Sequence, residues 1–121
     1  MRCLAIFILL GGFRITLIAG PPDFKIQPIP AGKYSIFKKQ FTQHMDVFGI
    51  HLFGTAKTPP EKLRHAAIVM AEYLDSDENG KPDNQEVIAT MIKRDAFLMM
   101  TENERALDRL DHDVFQDAGF H

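Results

Sequence analysis

Asp75, Asp77, Asn79, Asp83 and Glu86 occupy positions 1, 3, 5, 9 and 12 of a twelve-residue stretch, with Gly80 at position 6. Oxygen-bearing side chains at these steps can curl around one hard divalent cation, and calcium, which takes six to eight oxygens, fits them. Position 7 needs only a backbone carbonyl, so Lys81 can serve there while its ammonium points to water. Gly80 permits the reversal at position 6, where a positive φ costs a residue with a Cβ far more than it costs glycine. Glu86 would close the shell with both carboxylate oxygens. The expected ligand set is therefore Asp75, Asp77, Asn79, Lys81, Asp83 and Glu86, and the expected cofactor is Ca2+. Four Asp or Glu side chains besides Glu78 crowd around the single Lys81, and their mutual repulsion favours a cation.

The pattern Asp-x-Asp-x-Asn-Gly-x-Pro-Asp-x-x-Glu resembles EF-hand loops, and still more the Gly-x-Pro-Asp calcium loops of secreted bacterial proteins, which are similar to thrombospondin type 3 repeats. Position 8 departs from the paired EF-hand. There an apolar residue normally donates its amide to a partner loop, and Pro82 has no amide hydrogen, so the loop reads as solitary. Val47-Phe48-Gly49-Ile50, His65-Ala66-Ala67 and Ala71-Glu72-Tyr73-Leu74-Asp75 leading into this loop resemble a wider family of mostly secreted proteins of uncharacterised activity. That resemblance implies metal binding and no particular reaction. It also implies relatives that run longer at the carboxyl end, so that catalytic groups in such a part would be missing here.

Other residues offer less. His44, His51, His65, His112 and His121 show no His-x-x-x-His or Glu-x-x-His spacing on an expected helix. His65 reads as a helix-edge residue near Glu61, and His51 as a partly buried neighbour of Phe53. Asp111-His112-Asp113 cannot converge if helical, because adjacent helix residues face different ways. Ser35 and Ser76 sit in no Gly-x-Ser-x-Gly elbow. Lys38-Lys39 beside Phe37 and Phe41 read as a solvated edge, and the methionines, including Met91, Met99 and Met100, as packing residues within apolar runs.

With 121 residues, 45% of them apolar, and a formal net charge of -2, the chain can build one modest core and carries no clustered basic face for nucleic acid. Cys3 is the only cysteine, so an intrachain disulfide is excluded. Residues 1–20 combine Arg2, the apolar run Cys3 to Leu10, a second apolar run after Arg14, and small residues Ala19 and Gly20, which reads as a signal peptide and an exported, extracytoplasmic protein. The rival reading makes Ala5 to Leu10 and Phe13 to Ile18 two strands joined by Gly11-Gly12. A membrane association follows only if this segment is retained, and its uninterrupted apolar run is too short to span a bilayer.

The elements that must position the loop follow from the rest. Pro21, Pro22, Pro28 and Pro30 make residues 21–32 an extended linker, leaving 33–121 as a single small domain. Met45 to Gly54 alternates as one strand, with Phe48, Ile50 and Leu52 on one face and Val47, Gly49, His51 and Phe53 on the other. Thr58 is the expected cap of a helix starting at Pro59, with Glu61 reaching back to it. Its stripe of Leu63, Ala66, Ala67, Met70, Tyr73 and Leu74 is core. A second helix is expected over Gln85 to Lys93, a short strand over Ala96 to Met100, and a third helix after a capping box at Thr101 to Glu104, carrying Leu107, Leu110 and Val114. The end at Gly119-Phe120-His121 gives no firm stop signal. The expected fold is α+β, or a small α/β unit: a short sheet covered by two or three helices with a helix-loop-helix calcium site; if the strands near 47–53 and 96–100 pair in parallel, the segment between them is a right-handed crossover interrupted by the ion.

Three functions are compatible with this. The first is a calcium-binding domain with a structural ion and no catalysis. The second is a calcium-responsive module whose helices open toward a protein partner through Leu63, Met70 and Met91. The third is the amino-terminal part of a secreted hydrolase.

Overall fold

A computed structural model describes residues 23–120. The signal-peptide and hairpin readings of residues 1–20 lie outside the described residues, as does His121. The domain is α+β. A 3-10 helix (Gly32–Lys39) leads into β1 (Gln43–Val47) and β2 (Ile50–Gly54), followed by α1 (Pro60–Leu74), α2 (Gln85–Lys93), β3 (Phe97–Met100), α3 (Glu104–Asp108) and α4 (Asp113–Asp117). The sheet order is β1-β2-β3, with β1 antiparallel and β3 parallel to β2. The β2–β3 pair is parallel, and α1, the acidic loop and α2 form the crossover between its two strands.

The single strand expected over Met45 to Gly54 is instead a hairpin. Phe48 and Gly49 have φ of 53° and 93°, the pair of left-handed residues that a two-residue turn of the I′ kind needs. Asp46 Oδ1 accepts from the Gly49 amide at 2.9 Å and helps fix the turn. The position cannot take a larger residue at no cost, because a Cβ on Gly49 would meet Ile92 Cδ1 at 2.8 Å. The turn also switches which alternate residues face which way: Val47 pairs with Ile50 and Met45 with Leu52, so Val47 shares a face with Leu52 and not with His51 and Phe53.

Both faces of the sheet are covered. On one, Met45, Val47 and Leu52 pack with Leu63, Ala67 and Ala71 of α1, joined by Leu98 and Met100 from β3. On the other, Phe53 and Phe97 meet Phe37 of the 3-10 helix, Phe41, Phe115 of α4 and Phe120. Phe37 is the hub of this aromatic layer. Its ring stacks on Phe53 at 4.1 Å and meets Phe97 and Phe120 edge-on at 4.8 and 5.2 Å, arrangements that suit the ring quadrupoles. The 3-10 helix carries no apolar periodicity, so the sequence did not announce it. Residues 24–29 of the proline-rich stretch belong to the body and are not a free linker: Ile29 is buried in the aromatic layer and Phe24 packs on the α1 side.

Three capping expectations are corrected. Thr58 is fully buried and does not cap α1, whose N-cap is Pro59 with no side-chain bond. Its hydroxyl donates to the Met100 carbonyl at 2.9 Å, tying the β2–α1 connection to the end of β3, a long-range demand that outweighs the local cap. The third helix is capped by Asn103, which accepts from the Ala106 amide at 2.9 Å, and it breaks after Asp108, so Leu107 and Val114 fall on two short helices and Leu110 between them. The end of α4 does have a stop. Gly119 (φ 91°) donates to Gln116 and Phe120 donates to Phe115 across the last turn, the Schellman arrangement, with Phe120 packed back into the core.

Candidate metal centre

The helix-loop-helix segment is built as its residue types require. α1 ends where Asp75 leaves helical geometry, at φ -141° and ψ 81°. Asn84 then starts α2 by accepting from the amides of Glu86 and Val87 at 3.0 and 3.2 Å. Between them the chain reverses through two left-handed residues, Glu78 at φ 55° and Gly80 at φ 86°. Open space surrounds the Gly80 Cα, so backbone conformation and not crowding calls for glycine there.

Asp75 organises the loop from its inner side. Its side chain is almost wholly buried, at 5% exposure, and its two oxygens accept from the amides of Asn79 at 3.2 Å and Gly80 at 2.8 Å. Asp77 accepts from the backbone and side-chain amides of Asn79 at 3.3 and 3.2 Å. Asp83 reaches back across the loop to Ser76, accepting from its amide at 2.9 Å and its hydroxyl at 2.6 Å. The Asp83 amide in turn donates to the Leu74 carbonyl at 2.7 Å, fastening the second half of the loop to the end of α1.

These contacts bring one carboxylate oxygen each from Asp75, Asp77 and Asp83 within 4.8 Å of one another. The electrostatics reflect that crowding. The Asp77 carboxyl is held above the usual carboxylate range, first because it shares a hydrogen bond with Asp75, and then through desolvation and the neighbouring charges of Asp75 and Asp83. Asp83 moves the other way, its carboxylate favoured by the two Ser76 donors.

The remaining expected ligands are Asn79, the Lys81 carbonyl and Glu86. The Asn79 side-chain oxygen accepts from the Lys81 amide at 2.8 Å, which shapes the turn. Lys81 and Glu86 are exposed. The Glu86 carboxylate, in the first turn of α2, is not one of the trio that comes together. Among the expected acidic ligands, Asp75, Asp77 and Asp83 come together. Chemically, three converging carboxylates beside a glycine reversal suit a hard cation with oxygen ligands and offer nothing to a thiophilic metal.

A second cluster went unrecognised in the sequence. His44 Nε2 and His51 Nδ1 lie 2.8 Å apart across the hairpin, with the Asp46 carboxylate 4.0 Å from His51 Nδ1. With a turn placed at Phe48-Gly49, His44 opposes Phe53 and becomes the diagonal neighbour of His51 on the same face. Read as one strand, the segment hides that meeting. His65 on α1 and His112, at the N-cap of α4, are both exposed. No helix among the described residues is long and apolar enough to cross a membrane. Compared with protein-family models, curated proteins and solved structures, the chain matches none of them.

Proposed function

We propose that this domain binds one calcium ion in the loop 75–86, and that the ion's role is structural: it fixes the junction of α1 and α2 and so completes the crossover between β2 and β3. The observation that carries this reading is the convergence of the Asp75, Asp77 and Asp83 carboxylates, one of them buried, with the Asp75 oxygens oriented by the Asn79 and Gly80 amides. In this reading Asn79, the Lys81 carbonyl and Glu86 complete the oxygen shell, and ion binding competes with protonation of Asp77, which its hydrogen bond with Asp75 favours. A lone loop of moderate affinity suits an extracytoplasmic setting rich in calcium. No catalytic role is assigned.

Calorimetric titration of chelator-treated protein with calcium tests the reading, paired with thermal melts. One site per chain and an upward shift in melting are expected, amounting to about 2.7 kcal/mol when free calcium stands a hundredfold above its dissociation constant. Absence of both heat and shift would remove the proposal. Asp75→Asn should abolish the response. Glu86→Gln should weaken binding by about tenfold, or about 1.4 kcal/mol, if the carboxylate joins the shell.

A further inference from the structure

The chain reaches the sheet by wrapping an edge. Phe24 packs on the α1 side, and its carbonyl accepts from Arg64 Nε at 3.1 Å. Gln27 then bridges to β1, its amide donating to the His44 carbonyl at 2.8 Å. Two residues further on, Ile29 is buried in the aromatic layer on the opposite side. Residues 24–29 therefore form a strap laced across the outer edge of β1, and the main-chain bond that ties it there is made to His44.

The side chain beneath that tie is itself titratable. His44 is 3% exposed, and its Nδ1 is buried without a well-formed hydrogen bond, although the Pro28 carbonyl of the strap faces the ring. Its Nε2 contacts His51 Nδ1 at 2.8 Å, which requires one nitrogen to carry a proton and the other to lack it. A neutral pair meets that condition. When both rings are protonated, every ring nitrogen is a donor, no acceptor remains between them, and two like charges meet at contact distance in the interior.

Few groups facing the pair offset this. Asp46 on β1 is half-exposed and 4.0 Å from His51, with its other oxygen engaged by the Gly49 amide. From the 3-10 helix Tyr34 lays its ring 4.3 Å from His51, and the neighbouring Lys33 is paired with Asp95. Lys25 of the strap and Asp23 just before it, of opposite charge, lie at an open cavity of about 490 Å³ that His44 also lines. β2 adds Phe53, and β3 presents Phe97 and Met99 to that face, neither of them charged. Burial accordingly lowers the proton affinity of both rings and the neighbouring ring lowers that of His44 further, while Asp46, and for His44 also the Pro28 carbonyl, counteract only in part.

We propose that the His44–His51 pair is a proton-operated latch: neutral, it holds the strap 24–29 on the edge of β1, and doubly charged, it releases the strap while the sheet stays folded. Release bares the unpaired main-chain groups of a sheet edge, which are free to pair with another extended segment.

Hydrogen exchange read by NMR, corrected for the intrinsic pH dependence of exchange, tests this at about pH 7.5 and about pH 5, across the range in which histidine charge changes. Expected is a loss of about tenfold or more in protection of the Gln27 amide at the lower pH, with the amides of Leu52 and Phe53 unchanged. His44→Phe keeps a ring in the site and should make Gln27 protection independent of pH. His51→Gln, which retains a partner for His44 but cannot charge, should do the same and keeps the test decisive if the first variant does not fold. The latch is refuted by an unchanged Gln27 in the wild type, by the same pH step in both variants, or by simultaneous loss at Gln27, Leu52 and Phe53, which marks unfolding of the whole domain.

Discussion

The aromatic layer and the acidic loop hold the chain by opposite means. Around Phe37, six phenylalanine rings contact one another with no polar atom involved, and ordering comes from area withdrawn from water and from ring geometry. In the loop 75–86 there is little apolar contact to order anything. Its shape rests on carboxylates accepting from backbone amides, and each such bond gathers negative charge that the next one must tolerate. The first region is complete as folded. The second is organised but electrostatically unfinished, and that asymmetry is the physical reason to look for a cation there and nowhere in the aromatic layer.

Perturbations of increasing delicacy should separate the two regions. Phe37→Ala, which deletes the hub, should destabilise the whole domain by about 3–5 kcal/mol in denaturant melts with or without calcium. A calcium-dependent difference in that loss would argue that the two regions are not independent. Next in size is the stabilisation by calcium itself, which should vanish in Asp75→Asn and persist in a core variant such as Met99→Leu. Asn84→Ala should cost about 1 kcal/mol by removing the cap of α2, and a larger loss in the presence of calcium than in chelator would tie that cap to the site. Tyr73, 83% exposed near the end of α1, should change stability by no more than about 0.5 kcal/mol when replaced by Ala.

The dependence on pH supplies a comparison of another kind. His44 and His51 bind protons less readily folded than unfolded, so between their lowered folded values and the ordinary histidine range near 6.5 the unfolded chain holds more protons. Their contribution is therefore full above that range and is lost as pH falls through it. Chelator-treated wild type should lose stability on acidification through this window, and His51→Gln should lose less. At the loop the sign concerns binding: because Asp77 retains its proton above the usual carboxylate range, calcium affinity should fall as pH is lowered toward that range.

Much of this arrangement is readable from local pattern. The stripe expected on α1 faces the core at Leu63, Ala66, Ala67, Met70 and Leu74, whereas Tyr73, expected with them, is 83% exposed and Ala71 is buried instead; the second helix spans Gln85 to Lys93 as its apolar positions require, and Phe97–Met100 is a strand in parallel register with β2. Spacing alone also brought Asp75, Asp77 and Asp83 to notice. What stayed hidden is set by tertiary demands. Phe48 is an unusual choice for a left-handed turn position, so nothing local distinguished a hairpin from one long alternating strand. Thr58 has the right type and place for a cap, but a carbonyl at the end of β3 claims its hydroxyl. The 3-10 helix has no apolar period, and Phe37 is indispensable through the rings that other segments bring to it.

The parallel pairing of β2 with β3 sets the order of assembly. The hairpin of β1 and β2 closes over two residues, whereas His51 finds Phe97 only after the chain between them has been drawn together. Contacts of such separation are slow to form because chain entropy is lost before they are gained. The acidic loop lies inside that excursion. An ion that clasps it early would shorten the effective search and accelerate refolding in addition to steadying the final state.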